Sequence, residues 1–117
     1  MTPAALLVHV PDVEAGLDWY QKAFPMAEVV YLPDYDFTLL RLGDFVIELV
    51  QADAKVSNGK SGTVLYWLTD NLQTRIEELC ALGAKLYRGP LDIEDGMMML
   101  QLEDPFGNLI GLRGRKN

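Results

Sequence analysis

The feature that most constrains the fold of this chain is an internal repeat with an offset of 59 residues. Apolar residues recur at helical spacing in two segments, which contain Val13, Leu17, Tyr20 and Phe24 in the first and Leu72, Ile76 and Leu79 in the second. Asp12 is the predicted N-cap of the first helix, and Asn71 or Asp70 that of the second. Pro25 and Gly83 are predicted to end the two helices. A constant offset between two helices of the same phase indicates two copies of one structural unit.

The segments that flank the helices repeat as well. Each helix follows one β-like stretch and precedes three more. These stretches are Ala5–Val10, Met26–Leu32, Phe37–Leu42 and Phe45–Gln51 in the first half, and Val64–Thr69, Ala84–Arg88, Met97–Leu102 and Leu109–Arg113 in the second. Both halves therefore predict the order β-α-β-β-β. We expect a single domain over residues 1–117, with module one at about 4–51, a polar linker at 52–62 and module two at about 63–114.

A four-stranded sheet with one helix buries only one of its faces. Two such units placed edge to edge can form a cupped, open-barrel-like mixed sheet around a cavity, so the predicted class is α+β. Strand alternation directs Leu6, Val8 and Val10 to the helix, and Ala5, Leu7 and His9 to the cavity. The same alternation places Glu48 on a face with Val46 and Val50, where a carboxylate is unexpected.

Charge and cysteine content exclude several function classes. Seventeen acidic and ten basic residues give a net charge of -7, which disfavours nucleic acid as a partner. Cys80 is the only cysteine, which excludes an intramolecular disulfide and a cysteine-based zinc site. On the second helix it is expected to be buried and inert. No apolar run is long enough to span a membrane, and the N-terminal segment lacks a basic n-region, so we expect a cytoplasmic protein without a membrane partner.

Three motifs connect the chain to a known family. The segment HVPDVEAGLDWYQKAFP, the strand GDFVIEL and the closing DPFGNLIGL resemble the vicinal oxygen chelate superfamily, which contains glyoxalase I, bleomycin-resistance and fosfomycin-resistance proteins and extradiol dioxygenases. The resemblance covers essentially the whole chain. It implies the paired-module fold and, usually, a homodimer.

The resemblance also implies four positions for the side chains that hold a divalent metal in the enzymes of this family. They correspond here to Ala5, Glu48, Val64 (or Thr63, if the strand is shifted by one residue) and Gly111. Metal-dependent relatives carry a glutamate at the last of them. Only Glu48 offers a donor, and one carboxylate cannot replace the hydration shell of a divalent cation. We therefore expect no metal and no cofactor.

Seven residues are predicted to face the cavity and bind a ligand: Leu7, His9, Glu48, Tyr66, Met97, Met99 and Gln101. Glu48 is either a ligand-binding carboxylate or general base, or a relict paired with Arg41 or Arg113. His9 lies two residues after the first metal position. It either forms a hydrogen bond with the ligand or is a satisfied histidine at a module interface.

The second module contributes the remaining candidates. Tyr66 offers an aromatic wall and a hydroxyl, provided that the strand register is right; a slip of one residue would exchange it with Trp67. Met97 and Met99 suit an adaptable apolar site, and Gln101 lies on their face, but plain packing is the simpler explanation of the methionines.

The leading prediction is a metal-independent small-molecule binding protein, similar to the bleomycin-resistance branch, that sequesters an aromatic or cationic compound or an antibiotic. The alternative is a glyoxalase-like lyase or isomerase that acts on a small metabolite, with Glu48 as general base and His9 as its partner. A third possibility is a dimeric scaffold whose cavity is filled. The sequence leaves open whether there is turnover and whether the modules pair within one chain or across two.

Overall fold

The protein is described by a computed structural model that covers residues 2–115. The chain divides into two compact units, of which the first ends at Asn58 and the second begins at Gly59. Each unit contains one α-helix and one four-stranded mixed sheet. The predicted α+β class and the order β-α-β-β-β in each half are confirmed.

The first unit contains five elements: β1 (Ala5–Val10), α1 (Val13–Ala23), β2 (Glu28–Leu32), β3 (Phe37–Leu42) and β4 (Phe45–Gln51). The strands lie in the order β1-β4-β3-β2. β1 runs parallel to β4, and the other neighbours are antiparallel. The central strands β3 and β4 carry most of the core, in which Leu40, Ile47 and Leu49 are fully buried, and Val10 of the edge strand β1 is fully buried as well.

Helix α1 begins and ends where its sequence predicts. The Asp12 side chain accepts a hydrogen bond from the backbone N–H of Ala15, as an N-cap residue should. The helix ends at Ala23, and Pro25 cannot continue it. Its buried residues are Gly16, Trp19, Tyr20 and Ala23, so the buried side is rotated relative to the predicted stripe. The absence of a side chain at Gly16 explains the rotation, because a Cβ there would lie 2.9 Å from a Val10 methyl group.

The second unit contains β5 (Tyr66–Leu68), α2 (Leu72–Ala81), β6 (Lys85–Asp92), β7 (Met97–Glu103) and β8 (Leu109–Arg115), with a 3-10 turn at Glu94–Gly96. The strands lie in the order β5-β8-β7-β6, with β5 parallel to β8. Counted within its own unit, each strand has the same place in this sheet as its counterpart in the first sheet. Its core is formed by Leu72, Leu79, Leu100, Leu102, Ile110 and Leu112.

Some predicted boundaries in the second unit are wrong. β5 is shorter than Val64–Thr69, because only Tyr66–Leu68 pair with β8. β6 extends to Asp92, beyond the predicted end at Arg88, and reaches that length through two register irregularities against β7. In the first unit β2 begins at Glu28 and not at Met26. Strand ends depend on tertiary pairing, which a sequence pattern does not contain.

The prediction that Cys80 is buried is also wrong, because its side chain is exposed. The buried residues of α2 are Leu72 and Leu79. Cys80 follows Leu79 directly, and one residue turns an α-helix by about 100°. Its side chain therefore points away from the core.

Neither helix in the described part of the chain is long and apolar enough to cross a membrane.

Candidate functional site

Each sheet has a helix-covered face and an opposite face, which we call its outer face. On the outer face of the first sheet, Leu7 of β1 is in register with Glu48 of β4, and His9 with Val50. Val8 and Val10 are buried, whereas Leu7 is 49% exposed. The structure therefore brings the predicted residues Leu7, His9 and Glu48 together on one face.

Glu48 is half-buried and has apolar neighbours. Val46 and Val50 lie on either side of it along β4, and Leu7 lies next to it on β1. Arg41, one of its predicted partners, instead forms an ion pair with Glu28, with 3.5 Å between Nη1 and Oε1. Within the described part of the first unit, no salt bridge involves Glu48.

His9 is half-buried, and its surroundings include a carboxylate that the sequence did not connect with it. The Asp53 side chain accepts hydrogen bonds from the backbone N–H groups of Val56 and Lys55, at 2.8 and 2.9 Å. These two bonds lower the pKa of Asp53, and His9 adds a smaller lowering through its charge. His9 is therefore placed near the polar segment that follows β4 as well as on the outer face.

On the outer face of the second sheet, three predicted or motif residues lie side by side. Gly111 of β8 is in register with Tyr66 of β5 on one side and with Gln101 of β7 on the other. Trp67 is in register with the buried Leu112, on the helix-covered face. The one-residue slip that would have exchanged Tyr66 and Trp67 is therefore absent.

The Tyr66 ring occupies the space that a side chain at position 111 would need. A Cβ atom on Gly111 would lie 2.6 Å from the Cγ and Cδ2 atoms of the ring, and 2.9 Å from Cδ1. Real Cβ atoms do not approach other heavy atoms so closely. Glycine normally weakens a strand interior but allows another group to come close to the backbone. The glycine inside the apolar strand LIGL thus makes room for a phenol ring.

Two further side chains hold this phenol. Gln101 donates a hydrogen bond from Nε2 to the Tyr66 hydroxyl oxygen at 2.8 Å. The guanidinium carbon of Arg113 lies 5.1 Å from the centre of the Tyr66 ring, which is a cation–π distance. The sequence had assigned Arg113 only as a possible partner of Glu48. Its place two residues after Gly111, on the same face of β8, was the signal that could have revealed the contact with Tyr66.

Met97 and Met99 lie on this outer face too, and both are half-buried. They are in register with Arg115 and Arg113 of β8. The two thioether side chains therefore add apolar surface to the outer face of the second sheet.

The residues present do not fit a divalent metal. In the first unit, Glu48 is the only donor at the two positions that the family implies. In the second unit, Val64 has no donor, and the Tyr66 ring covers Gly111. Among residues 2–115, no group of three or more histidine, cysteine, aspartate or glutamate side chains could hold a metal ion.

Two tandem β-α-β-β-β units, each with its helix on one face of a mixed sheet, define a class of small α+β proteins. The family model of the Glyoxalase/Bleomycin resistance protein/Dioxygenase superfamily matches residues 3–112. The chain belongs to this superfamily, as the motifs predicted.

Solved structures of similar fold cover nearly the whole chain. An integron cassette protein from the mobile metagenome of V. cholerae is 20% identical with a TM-score of 0.76, over 99% of this chain and 96% of that one. A glyoxalase/bleomycin resistance protein/dioxygenase family enzyme from Burkholderia phytofirmans is 16% identical with a TM-score of 0.75, over 95% and 96%. A glyoxalase-related enzyme from Fulvimarina pelagi is 18% identical with a TM-score of 0.74, over 97% and 88%. At these identities the likeness shows the fold alone. No curated protein matched the sequence.

Proposed function

We propose that this protein is a metal-independent small-molecule binding protein of the glyoxalase/bleomycin-resistance type, which sequesters a compound with a flat apolar or aromatic body. The observation that supports this most strongly is the Tyr66 ring against Gly111. Metal-dependent relatives have a glutamate at this position. Here the carboxylate is missing, and an aromatic surface occupies its space.

Each outer face, taken by itself, offers apolar surface and a polar anchor for such a ligand. Leu7 in the first unit, and Tyr66, Met97 and Met99 in the second, provide apolar surface, and thioethers adapt to irregular shapes. Glu48 and Gln101 provide polar anchors. Ligand sites typically combine mostly apolar walls with a few polar groups of this kind.

A second candidate, from another class, is supported by the state of Glu48. A half-buried carboxylate beside Leu7 that lacks an ion pair within its own described unit is a suitable general base. In this alternative the chain is a glyoxalase-like lyase or isomerase, with His9 as the partner of Glu48.

A combined binding and turnover experiment separates the candidates. The purified protein is analysed by native mass spectrometry for co-purified compounds, with EDTA present throughout. Each recovered compound is then mixed with fresh protein, and the mass and the chromatographic retention time of the compound are measured before and after incubation, because an isomerase would change only the retention time. We expect stoichiometric binding of an unchanged compound. Conversion of the compound would support the lyase or isomerase, and binding that requires an added metal ion would contradict the proposal.

The proposal includes the assembly and the partners of the chain. Residues 1–117 would act as one domain, as the family match through both units supports. Each sheet has two edge strands, β1 and β2 in the first and β5 and β6 in the second. Because open edges favour association, we propose a homodimer. A sedimentation experiment at micromolar concentration that detects only a 13 kDa species would contradict this proposal.

The net charge of -7 argues against nucleic acid as a partner. The lack of any possible intrachain disulfide agrees with a cytoplasmic location.

A further inference from the structure

We infer that Arg113, held against the Tyr66 ring, binds a carboxylate group of the ligand. The inference rests on the proposed function and deepens it, because it assigns the ligand to one chemical class, the planar aromatic acids. It also assigns the ligand a negative charge, whereas the sequence had left a cationic compound open.

The first support is the charge of the outer face of the second sheet. Strand register places four cationic side chains on this face, opposite Glu103, Gln101, Met99 and Met97 of β7; they are Lys85, Arg88, Arg113 and Arg115. Glu103 is the acidic residue among these positions, and its carboxylate already binds the Lys60 ammonium at 3.1 Å. The face is therefore positive, although the whole chain carries seven more acidic than basic residues. A local positive field favours an anionic ligand.

The second support is the state of the Arg113 guanidinium. The salt bridges in the described part of the second unit are Lys60–Glu103 and Arg75–Glu78, and neither involves Arg113. Its side chain is exposed, and its guanidinium lies over the Tyr66 ring at 5.1 Å. When the flat face of a guanidinium group contacts an aromatic ring, the N–H donors at the edge of the guanidinium do not point at the ring. Such an edge matches the two oxygens of a carboxylate.

The third support is the Tyr66 hydroxyl group. A phenol has one O–H donor as well as acceptor lone pairs. The Tyr66 oxygen accepts its hydrogen bond from Gln101 Nε2 at 2.8 Å, so its own proton is available for a ligand oxygen. Tyr66 and Arg113 thus offer donors on the same face of neighbouring strands.

The fourth support is the apolar surface beside these donors. Arg113 is in register with Leu68 on one side and Met99 on the other. Leu68 is 77% exposed and Met99 is half-buried. An acid with an aromatic body would place its carboxylate on Arg113 and its ring on this apolar surface.

The test uses three probes with the same aromatic body: 2-naphthoate, 2-naphthamide and 2-naphthylmethylamine. Each is titrated into the full-length protein with EDTA present, and affinities are measured from backbone amide shifts in NMR spectra. We expect 2-naphthoate to bind at least about tenfold tighter than 2-naphthamide, as one charge-assisted hydrogen-bond pair would give. Arg113→Gln should abolish this difference and change 2-naphthamide affinity less than about twofold.

Two further variants control the experiment. Arg75→Gln makes the same charge change on α2, where Arg75 is engaged with Glu78 at 2.7 Å, and should leave all three affinities unchanged. Arg113→Lys keeps the charge but loses the planar fork, and should retain part of the preference for 2-naphthoate. Thermal unfolding of every variant establishes that it is folded.

Each other outcome contradicts the inference in a distinguishable way. Equal affinity for 2-naphthoate and 2-naphthamide would overturn the role of Arg113 and leave the proposed binding function standing. A preference for 2-naphthoate that persists in Arg113→Gln would place the anion elsewhere and overturn it as well. If 2-naphthylmethylamine bound most tightly of the three probes, the site would prefer a cation, and the inferred negative charge of the ligand would be wrong. Binding of none of the probes would count against both the inference and the proposed function.

Discussion

The Tyr66 ring lies directly on Gly111, where a Cβ atom would stand 2.6 Å from two of the ring carbons. The two residues are in register on the adjacent strands β5 and β8. Gln101, on the other side of Gly111, holds the Tyr66 hydroxyl at 2.8 Å. A position at which metal-dependent relatives carry a glutamate is here part of an aromatic surface. The following predictions test this relationship and the structure around it.

Gly111→Ala should destabilise the protein by about 1–3 kcal/mol, because the new methyl group requires the Tyr66 ring to move and overpacking has costs of this order. Urea unfolding of the wild type and the variant measures the change in the free energy of unfolding. In the background of Tyr66→Ala, which removes the ring, the same substitution should cost much less. An equal cost in both backgrounds would show that the ring is not what excludes a side chain.

Gly114→Ala is the matched control for this comparison of the wild-type and Tyr66→Ala backgrounds. A Cβ at Gly114 would meet the backbone carbonyl oxygen of Thr69, which no side-chain substitution removes. The cost of Gly114→Ala should therefore be the same with and without Tyr66.

Gly111→Glu should not create a metal site, since the variant would have carboxylates at only two of the four positions that the family implies and the positions of Ala5 and Val64 would still lack donors. It should destabilise the protein by at least about 1–3 kcal/mol, because it adds a charged group at a buried position as well as the clash with Tyr66. Thermal unfolding with and without zinc, nickel and manganese checks both points. Stabilisation of the variant by any of these ions would contradict the prediction.

The sequence predicted the fold well because both halves repeat the same signals. The helical spacing of apolar residues, the N-cap at Asp12 and the alternation in β1 are local patterns that locate these elements, although the buried side of α1 is rotated relative to the predicted stripe. β3 and β4 have the predicted bounds. The family resemblance added the expectation that the chain has a fold of two paired modules. Strand ends and helix faces that depend on neighbours, such as β5 and the side of α2 that carries Cys80, were wrong.

The site was predicted only in part. Alternation predicted that Leu7, His9 and Glu48 share a face, and the strand register agrees; that they bind a ligand stays a prediction. The contact of Arg113 with Tyr66 and the packing of Tyr66 on Gly111 depend on the register between β5 and β8, which no local pattern determines. The motif that contains Gly111 showed that something was missing there. It did not show that Tyr66 takes the space.

Asp104 should be a structural residue of the turn before β8. It is 3% exposed, and its Oδ1 atom accepts hydrogen bonds from the backbone N–H groups of Phe106 and Asn108, at 2.8 and 2.9 Å. Asp104→Ala leaves both donors without this acceptor and should lower the free energy of unfolding by about 2 kcal/mol or more. Asp104→Asn keeps one acceptor oxygen and should lose less. Equal losses in urea unfolding would show that the acceptor atom is not what matters.

Tyr31 should ionise at higher pH than an ordinary tyrosine. Its hydroxyl donates to Asp36 Oδ1 at 2.7 Å, and this hydrogen bond is the largest cause of its raised pKa, followed by desolvation and the charge of Asp36. The raised pKa means that the bond stabilises the fold below the ordinary tyrosine pKa and that this contribution is lost as pH rises through the pKa of Tyr31. An NMR titration of the Tyr31 ring carbons measures that pKa.

Asp36→Asn is the matched variant for the titration. It removes the carboxylate charge while asparagine still tolerates the positive φ of 46° at this position. The pKa of Tyr31 should fall toward the ordinary value in this variant. Because the asparagine Oδ1 can still accept the hydrogen bond from Tyr31, an unchanged pKa would show that the charge of Asp36 does not contribute to the shift.

We propose that this member of the superfamily works without a metal, with Tyr66 in the space of a metal ligand. This proposal is tested most directly by elemental analysis of the protein after expression in metal-supplemented medium and purification without chelators. We predict zinc, nickel, manganese and iron contents far below one atom per chain. One tightly held transition-metal ion per chain would contradict the account.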